Sequence, residues 1–178
     1  MSAPAVYPAE LVRDVALRDG TRVHVRPIRA EDAERLIAFY DRLSRHTAYQ
    51  RFVSIMRRLP PDWARLLAGV DYVRRLALVV TRDARPDADI LAVGRYEPTN
   101  EPATAEVAFV VQDGWQGRGL GTRLLRLLLD AARARGIVRF CAYVLADNTR
   151  MLDLFARFTR VQERKLEQGV VELVFSDA

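Results

Sequence analysis

Hydrophobic positions follow two rhythms along this chain. Near the start, Val15-Ala16-Leu17, the polar turn Arg18-Asp19-Gly20-Thr21 and the alternating run Val23 to Arg26 predict a β-hairpin. From about Glu31 to Leu43 the rhythm changes. Leu36, Phe39, Tyr40 and Leu43 recur at three- and four-residue spacing and predict a helix. A second helical stretch is expected over Thr47 to Met56, before Pro60-Pro61, and a short one over Asp62 to Ala68. Three strand-like runs then follow in succession: Leu76 to Thr81, Ile90 to Tyr96 and Thr104 to Val111. Polar, proline-containing turns separate them, so they read as an antiparallel meander.

The second half returns to helical spacing. Thr122 to Arg135 carries Leu124, Leu127, Leu128 and Ala131 on one side, and Arg123, Arg126, Asp130 and Arg133 on the other. Gly136 stands where a helix C-terminal cap belongs. Val138 to Leu145 reads as a strand and Asn148 to Phe158 as a helix. Val161 to Leu166 and Val170 to Phe175 flank Glu167-Gln168-Gly169 as a closing hairpin. The expected fold is α/β (α+β): helices flanking one mixed, mostly antiparallel central sheet. Residues 13–178 are expected to form a single domain, preceded by a loose tail over residues 1–12 with Pro4 and Pro8.

Composition narrows the chemistry. The single cysteine, Cys141, allows no internal disulfide. With only His24 and His46, far apart, no metal site is expected. No apolar run is long enough to span a bilayer and no signal peptide is evident, so a cytoplasmic protein without a membrane role is expected. The net charge of +5 suits an anionic ligand, although Asp and Glu are interspersed throughout. Arg57-Arg58 and Arg74-Arg75 are isolated pairs without interleaved aromatics, so no nucleic-acid partner is expected.

The stretch Val110-Val111-Gln112-Asp113-Gly114-Trp115-Gln116-Gly117-Arg118-Gly119-Leu120-Gly121-Thr122 follows a predicted strand and opens a predicted helix. Closely spaced glycines let backbone N–H groups converge, and a helix start adds its dipole, so the loop suits a diphosphate. A dinucleotide fingerprint would need glycine where Thr122 stands, and a Walker loop would need lysine where Leu120 stands. The alternative is an ordinary strand-to-helix turn.

Gln116-Gly117-Arg118-Gly119-Leu120-Gly121 resembles the Gln/Arg-x-x-Gly-x-Gly/Ala signature of the GNAT superfamily of N-acetyltransferases. Val25-Arg26-Pro27-Ile28-Arg29-Ala30-Glu31-Asp32 looks like that family's opening strand and first helix, and Asn148-Thr149-Arg150-Met151 like the start of its later helix. Leu43 to Phe52 and Val70-Asp71-Tyr72 are similar to bacterial protein lysine acetyltransferases that silence acyl-CoA synthetases.

The resemblance implies acetyl-CoA as cosubstrate, with no metal. Its acceptor would be a protein lysine or a small amine, and its state a monomer or homodimer. It places the coenzyme on the loop Gln116, Gly117, Arg118, Gly119, Leu120, Gly121 and Thr122. Backbone groups of Phe109, Val110 and Val111 would meet the pantetheine arm and thioester oxygen, and Asn148 would contact the arm. Two of these assignments stay open on the residues alone: Arg118, like Arg123, also reads as a surface arginine, and Asn148 as a helix N-cap.

An attacking amine with a pKa near ~10.4 must lose a proton, so a carboxylate is wanted beside it. Glu106 interrupts the apolar run Ala105 to Val111 and is the candidate general base; a solvent-facing strand residue is its alternative. Glu97 and Glu101 border a loop and are weaker candidates. Many relatives place a tyrosine acid where Phe155 stands here, and Phe158-Thr159-Arg160 replaces the family's Leu-Gly-Phe. No general acid is therefore assigned; Tyr143 and Cys141 are considered. A small-molecule acetyltransferase and a silent coenzyme sensor are the competing functions.

Overall fold

The computed structural model describes residues 4–52 and 58–178. In chain order the elements are β1 (Arg13–Ala16), β2 (Arg22–Pro27), α1 (Ala33–Asp41), α2 (Arg45–Phe52), α3 (Pro61–Ala68), β3 (Leu76–Thr81), β4 (Ile90–Pro98), β5 (Thr104–Val111), α4 (Leu120–Arg133), β6 (Arg139–Leu145), α5 (Thr149–Phe158), β7 (Thr159–Glu167) and β8 (Val170–Asp177). The end of the second expected helix, residues 53–56, lies outside the described residues, as do residues 1–3 of the expected tail.

Among the described residues the strands form one sheet in the order β1-β2-β3-β4-β5-β6-β8-β7. Every neighbouring pair is antiparallel except β5 and β6, which run parallel. The expected mixed, mostly antiparallel sheet is therefore observed. The closing hairpin folds with β8 inside, against β6, and the charged β7 on the edge.

The sheet separates two cores, and β3 shows how. Leu76, Leu78 and Val80 point into one core with Leu124, Leu128 and Phe155 from α4 and α5. Ala77 and Val79 point into the other with Leu36, Phe39, Ala64 and Ala68 from α1 and α3. A strand covered on both faces reads as an unbroken apolar run, which is why β3 has no polar alternation. Close approach of α4 requires a glycine in β4. A Cβ on Gly94 would stand 2.8 Å from Leu128 Cδ1 and 2.9 Å from Phe109 Cδ1.

Of the stretch expected as a loose tail, residues Tyr7–Leu11 instead lie against the body. The Tyr7 hydroxyl donates to Pro27 O at 2.9 Å, its ring meets Tyr72 edge-on at 5.5 Å, and Arg29 stacks over it at 4.8 Å. An aromatic side chain with a hydrogen-bonding tip anchors the strand-poor segment that its prolines alone would leave loose. Further in, Arg26 and Asp32 form a buried bidentate pair at 2.7 and 2.8 Å. Asp32 also accepts from the Arg29 N–H and from Arg35, each at 2.8 Å. This pair ties β2 to the start of α1.

Candidate active site

The site lies where the sheet splits. Parallel pairing of β5 with β6 covers only Thr104↔Arg139, Ala105↔Phe140 and Glu106↔Cys141. Beyond Glu106 the two strands diverge, while each keeps its other neighbour, β4 or β8. A cleft of about 380 Å³ opens in the wedge, lined by Val107 to Val111 on one side and Ala142, Tyr143 and Val144 on the other. Main-chain groups facing such a wedge have no strand partner and must be satisfied by a ligand or solvent.

The glycine loop closes the end of the wedge. Gly117 has φ +78 and Gly119 φ +85, a left-handed backbone that any side chain would strain. This turn delivers the chain into α4 with no side-chain cap and no acidic residue in the first turn. The earliest α4 N–H to find a helical acceptor is Arg123, bonded to Gly119 O at 3.1 Å. The N–H groups of Leu120, Gly121 and Thr122 are thus the unpaired donors of a helix start. They open into the cleft, which Gln116, Gly117, Gly119, Leu120, Gly121 and Thr122 line together with Arg18 and Arg150. Unpaired N–H donors, the positive end of a helix and lining arginines fit a diphosphate.

The expected site residues divide by what their side chains do. Phe109 packs in the α4/α5 core against Phe155, with ring centroids 6.0 Å apart, and Val110 packs in the opposite core. Their backbones still line the wedge. Gln116 uses its side chain within the protein: its amide donates to Val111 O at 2.9 Å and to Thr47 Oγ1 at 3.3 Å, and its carbonyl accepts from Arg150 at 3.2 Å. Asn148 lines the cleft and also N-caps α5, accepting the Met151 N–H at 3.2 Å. Arg118 turns away from the cleft into a neighbouring hollow with Arg18, Arg123 and Arg126. There it stacks on Trp115 at 4.7 Å and approaches Asp19 at 3.7 Å.

Glu106 lies on the β5 face opposite α4, half-buried, one residue before the stretch that lines the wedge. Burial pushes its carboxyl above the ordinary carboxylate value. Arg51 on α2 pulls it back, and Glu97, directly opposite on β4, pushes it up again. A carboxylate with a raised pKa is a better proton acceptor at neutral pH than an ordinary one. Cys141, its partner across the parallel ladder, is raised to about 11 by burial and by the charges of Glu106 and Glu172. Tyr143 lines the wedge 49% exposed. Phe155, where the family resemblance implies a tyrosine, is fully buried against Phe109 and Phe175.

Sequence reasoning missed the residues that join α2 to the loop. Ser44 caps α2, its hydroxyl accepting the Thr47 N–H at 3.1 Å. Asp113 receives the Ser44 N–H at 3.0 Å, the Ser44 hydroxyl at 2.7 Å and the Thr47 hydroxyl at 2.9 Å. A Ser-x-x-Thr cap was visible in the sequence, but nothing local pointed to an acceptor 66 to 69 residues away.

A split sheet with a glycine loop at the mouth of the split defines a coenzyme-dependent acyltransferase fold, and comparison with known proteins agrees. The model of the acetyltransferase (GNAT) family matches residues 48–159. The chain is 32% identical over 149 residues to an acetyltransferase of Pseudomonas aeruginosa, covering 84% of this chain and 80% of that one. It is 36% identical over 160 residues to the acetyltransferase Pat of Mycolicibacterium smegmatis, covering 88% of this chain. It spans 46% of that protein's length, under half. The crystal structure of the GNAT domain of S. lividans PAT superposes with a TM-score of 0.85 at 38% identity, covering 96% of this chain and 99% of that one. The chain belongs to the GNAT family and is an acyl-CoA-dependent N-acetyltransferase.

Proposed function

We propose that the protein moves an acetyl group from acetyl-CoA to a primary amine, and that this amine is a lysine side chain of a protein of the acyl-CoA synthetase type. The observation that carries the reading is the position of Glu106, the last residue of β5 paired with β6, beside the wedge. Its carboxyl is shifted toward the range useful for a base. The similarity to Pat of M. smegmatis and to the GNAT domain of S. lividans PAT supports a protein acceptor. Residues 13–178 are taken to act as one catalytic unit.

In this reading the N–H groups of Leu120, Gly121 and Thr122 hold the diphosphate, and unpaired amides of β5 between Val107 and Val111 orient the arm and the acyl oxygen. The acceptor amine approaches from the face that carries Glu106. Glu106 takes its proton, directly or through one water, as nitrogen bonds to the acyl carbon and the carbon–sulfur bond breaks. A CoA thiol with a pKa near ~8.5, by analogy with cysteine, leaves without a strong acid, which suits a site with Phe155 at the usual acid position.

The test is thioester consumption by the full chain with a purified acyl-CoA synthetase as acceptor, alongside free amines and no acceptor. Acetyl-lysine formed on the synthetase, and lost in Glu106→Gln, supports the reading. Turnover confined to free amines replaces the protein acceptor with a small molecule. Coenzyme binding without turnover on any acceptor overturns the catalytic reading.

A further inference from the structure

The first turn of helix α2 is seated on the protein by polar groups. Among the helix's described side chains only Thr47 is buried, and its hydroxyl is hydrogen-bonded to Asp113. One buried position among the described side chains gains little from apolar burial, so the bonds made by the first turn carry much of the helix's placement. Their acceptor is Asp113, two residues beyond β5 and four before Gly117. Its carboxylate takes three bonds from the start of α2: the Ser44 N–H, the Ser44 hydroxyl and the Thr47 hydroxyl. Bonds to an ionised acceptor are the stronger kind.

Two further contacts join the same segments. Gln116 donates to both Thr47 Oγ1 and Val111 O, so one side chain spans α2 and the end of β5. Arg42, just ahead of α2, donates to Gln112 Oε1 at 3.3 Å and to Ile90 O at 2.7 Å. Downstream of this anchored turn, α2 presents Gln50 and Arg51 to the cleft, and Arg51 is the cation that acts on Glu106. The loop that ends in the unpaired α4 donors therefore also carries the anchor of the helix on the acceptor side.

We propose that Asp113 is a positioning residue: by bonding the first turn of α2 to the glycine loop, it sets where Gln50 and Arg51 stand, so the loop that holds the coenzyme also assembles the acceptor side of the site. The inference rests on the coenzyme reading given above. Its physical content is a coupling. Whatever orders residues 113–122 also orders residues 45–52, because the two segments share Asp113, Thr47 and Gln116. The Asp113 carboxyl fits the role. Burial acts to raise its pKa, and the Ser44 and Thr47 donors outweigh that and hold it below the ordinary value, so it is a fully charged acceptor at neutral pH.

Hydrogen exchange of the full chain, read by mass spectrometry with and without acetyl-CoA, tests the coupling. In the unmodified protein acetyl-CoA slows exchange at residues 117–122 and also at residues 45–52. In Asp113→Ala the α2 amides exchange about tenfold faster, the order expected for lost charge-assisted hydrogen bonds, and stop responding to acetyl-CoA, while residues 117–122 still respond. Thr47→Val, made on the helix side, reproduces the effect should Asp113→Ala fail to fold. Asp113→Asn, which can still accept one bond and donate another, restores part of the response. Against an acyl-CoA synthetase as acceptor, Asp113→Ala and Thr47→Val raise the acceptor KM more than the coenzyme KM.

Loop protection together with α2 exchange that is unchanged in Asp113→Ala and Thr47→Val overturns the inference and leaves the coenzyme reading intact. An absence of acetyl-CoA protection at residues 117–122 in the unmodified protein overturns the coenzyme reading, and this inference with it.

Discussion

Glu106 stands directly across the β4–β5 ladder from Glu97, and the two carboxylates have different surroundings. Glu97 is held by Arg75 and Arg95, each at 3.1 Å. Arg95 is nearly fully buried, and Glu97 is the carboxylate it pairs with. The result is one ion-paired carboxylate next to one whose pKa is raised by burial.

Replacing Glu106 with Gln keeps the shape and removes the base. Turnover should fall by about 10²- to 10⁴-fold, the usual contribution of a positioned base. Coenzyme affinity by calorimetry should stay unchanged, since the loop lies elsewhere. Equal losses in turnover and affinity would show that Glu106 holds the loop rather than the proton.

The same substitution should affect stability with the opposite sign. A carboxyl with a raised folded pKa binds its proton more tightly in the folded state, so folding becomes less favourable as pH rises from the ordinary carboxylate value through the raised one. Glu106→Gln should therefore melt higher than the unmodified protein at neutral pH. The gap should vanish below about pH 4, where the unfolded chain is also protonated. Melting curves across pH read this directly.

Arg51→Gln removes the cation that pulls the Glu106 carboxyl down. The acidic limb of the kcat/KM profile should move to higher pH. A limb that stayed fixed, or moved down, would show that Arg51 does not act on the base.

Gly119→Ala should damage the loop in two ways. Its φ of +85 costs an L-residue about 1–2 kcal/mol, and a Cβ would stand 3.0 Å from Arg18 Nε. Acetyl-CoA affinity should drop more than melting temperature, because the strain falls where the α4 donors converge. Calorimetry and thermal melting together distinguish local from global damage.

Asp32→Ala leaves Arg26 buried without its partner and should cost about 3–5 kcal/mol. Burial works against the Asp32 charge, yet Arg26, the Arg29 N–H and Arg35 hold its carboxyl below the ordinary value. Its stabilising contribution is therefore present above the ordinary carboxylate pKa and is lost as pH falls through the depressed one. Urea unfolding at neutral and acidic pH should show the variant's deficit shrinking in acid.

Elements with a strong local signal were legible in the sequence. The strands at Leu76–Thr81 and Thr104–Val111 lie where the apolar runs predict them, because polar turns bound both. The strand–loop–helix context around Gly117 and Gly119 also followed from spacing alone. What escaped were contacts between distant residues. Tyr7 looked like part of a loose tail, since its partners Pro27 and Tyr72 lie 20 and 65 positions away. Gln116 and Arg118 both looked like ligand residues, yet the fold uses the side chain of one as a bridge to Thr47 and stacks the other on Trp115. Spacing locates a backbone cradle well, but says little about where a long side chain ends.

The split between β5 and β6 has a thermodynamic consequence. Three residue pairs join the two halves of the sheet on that seam. A coenzyme arm lying in the wedge would supply the hydrogen-bond partners that an additional strand would otherwise provide. Occupancy would then be coupled to the integrity of the seam, and the temperature at which the protein melts should climb with the logarithm of coenzyme concentration.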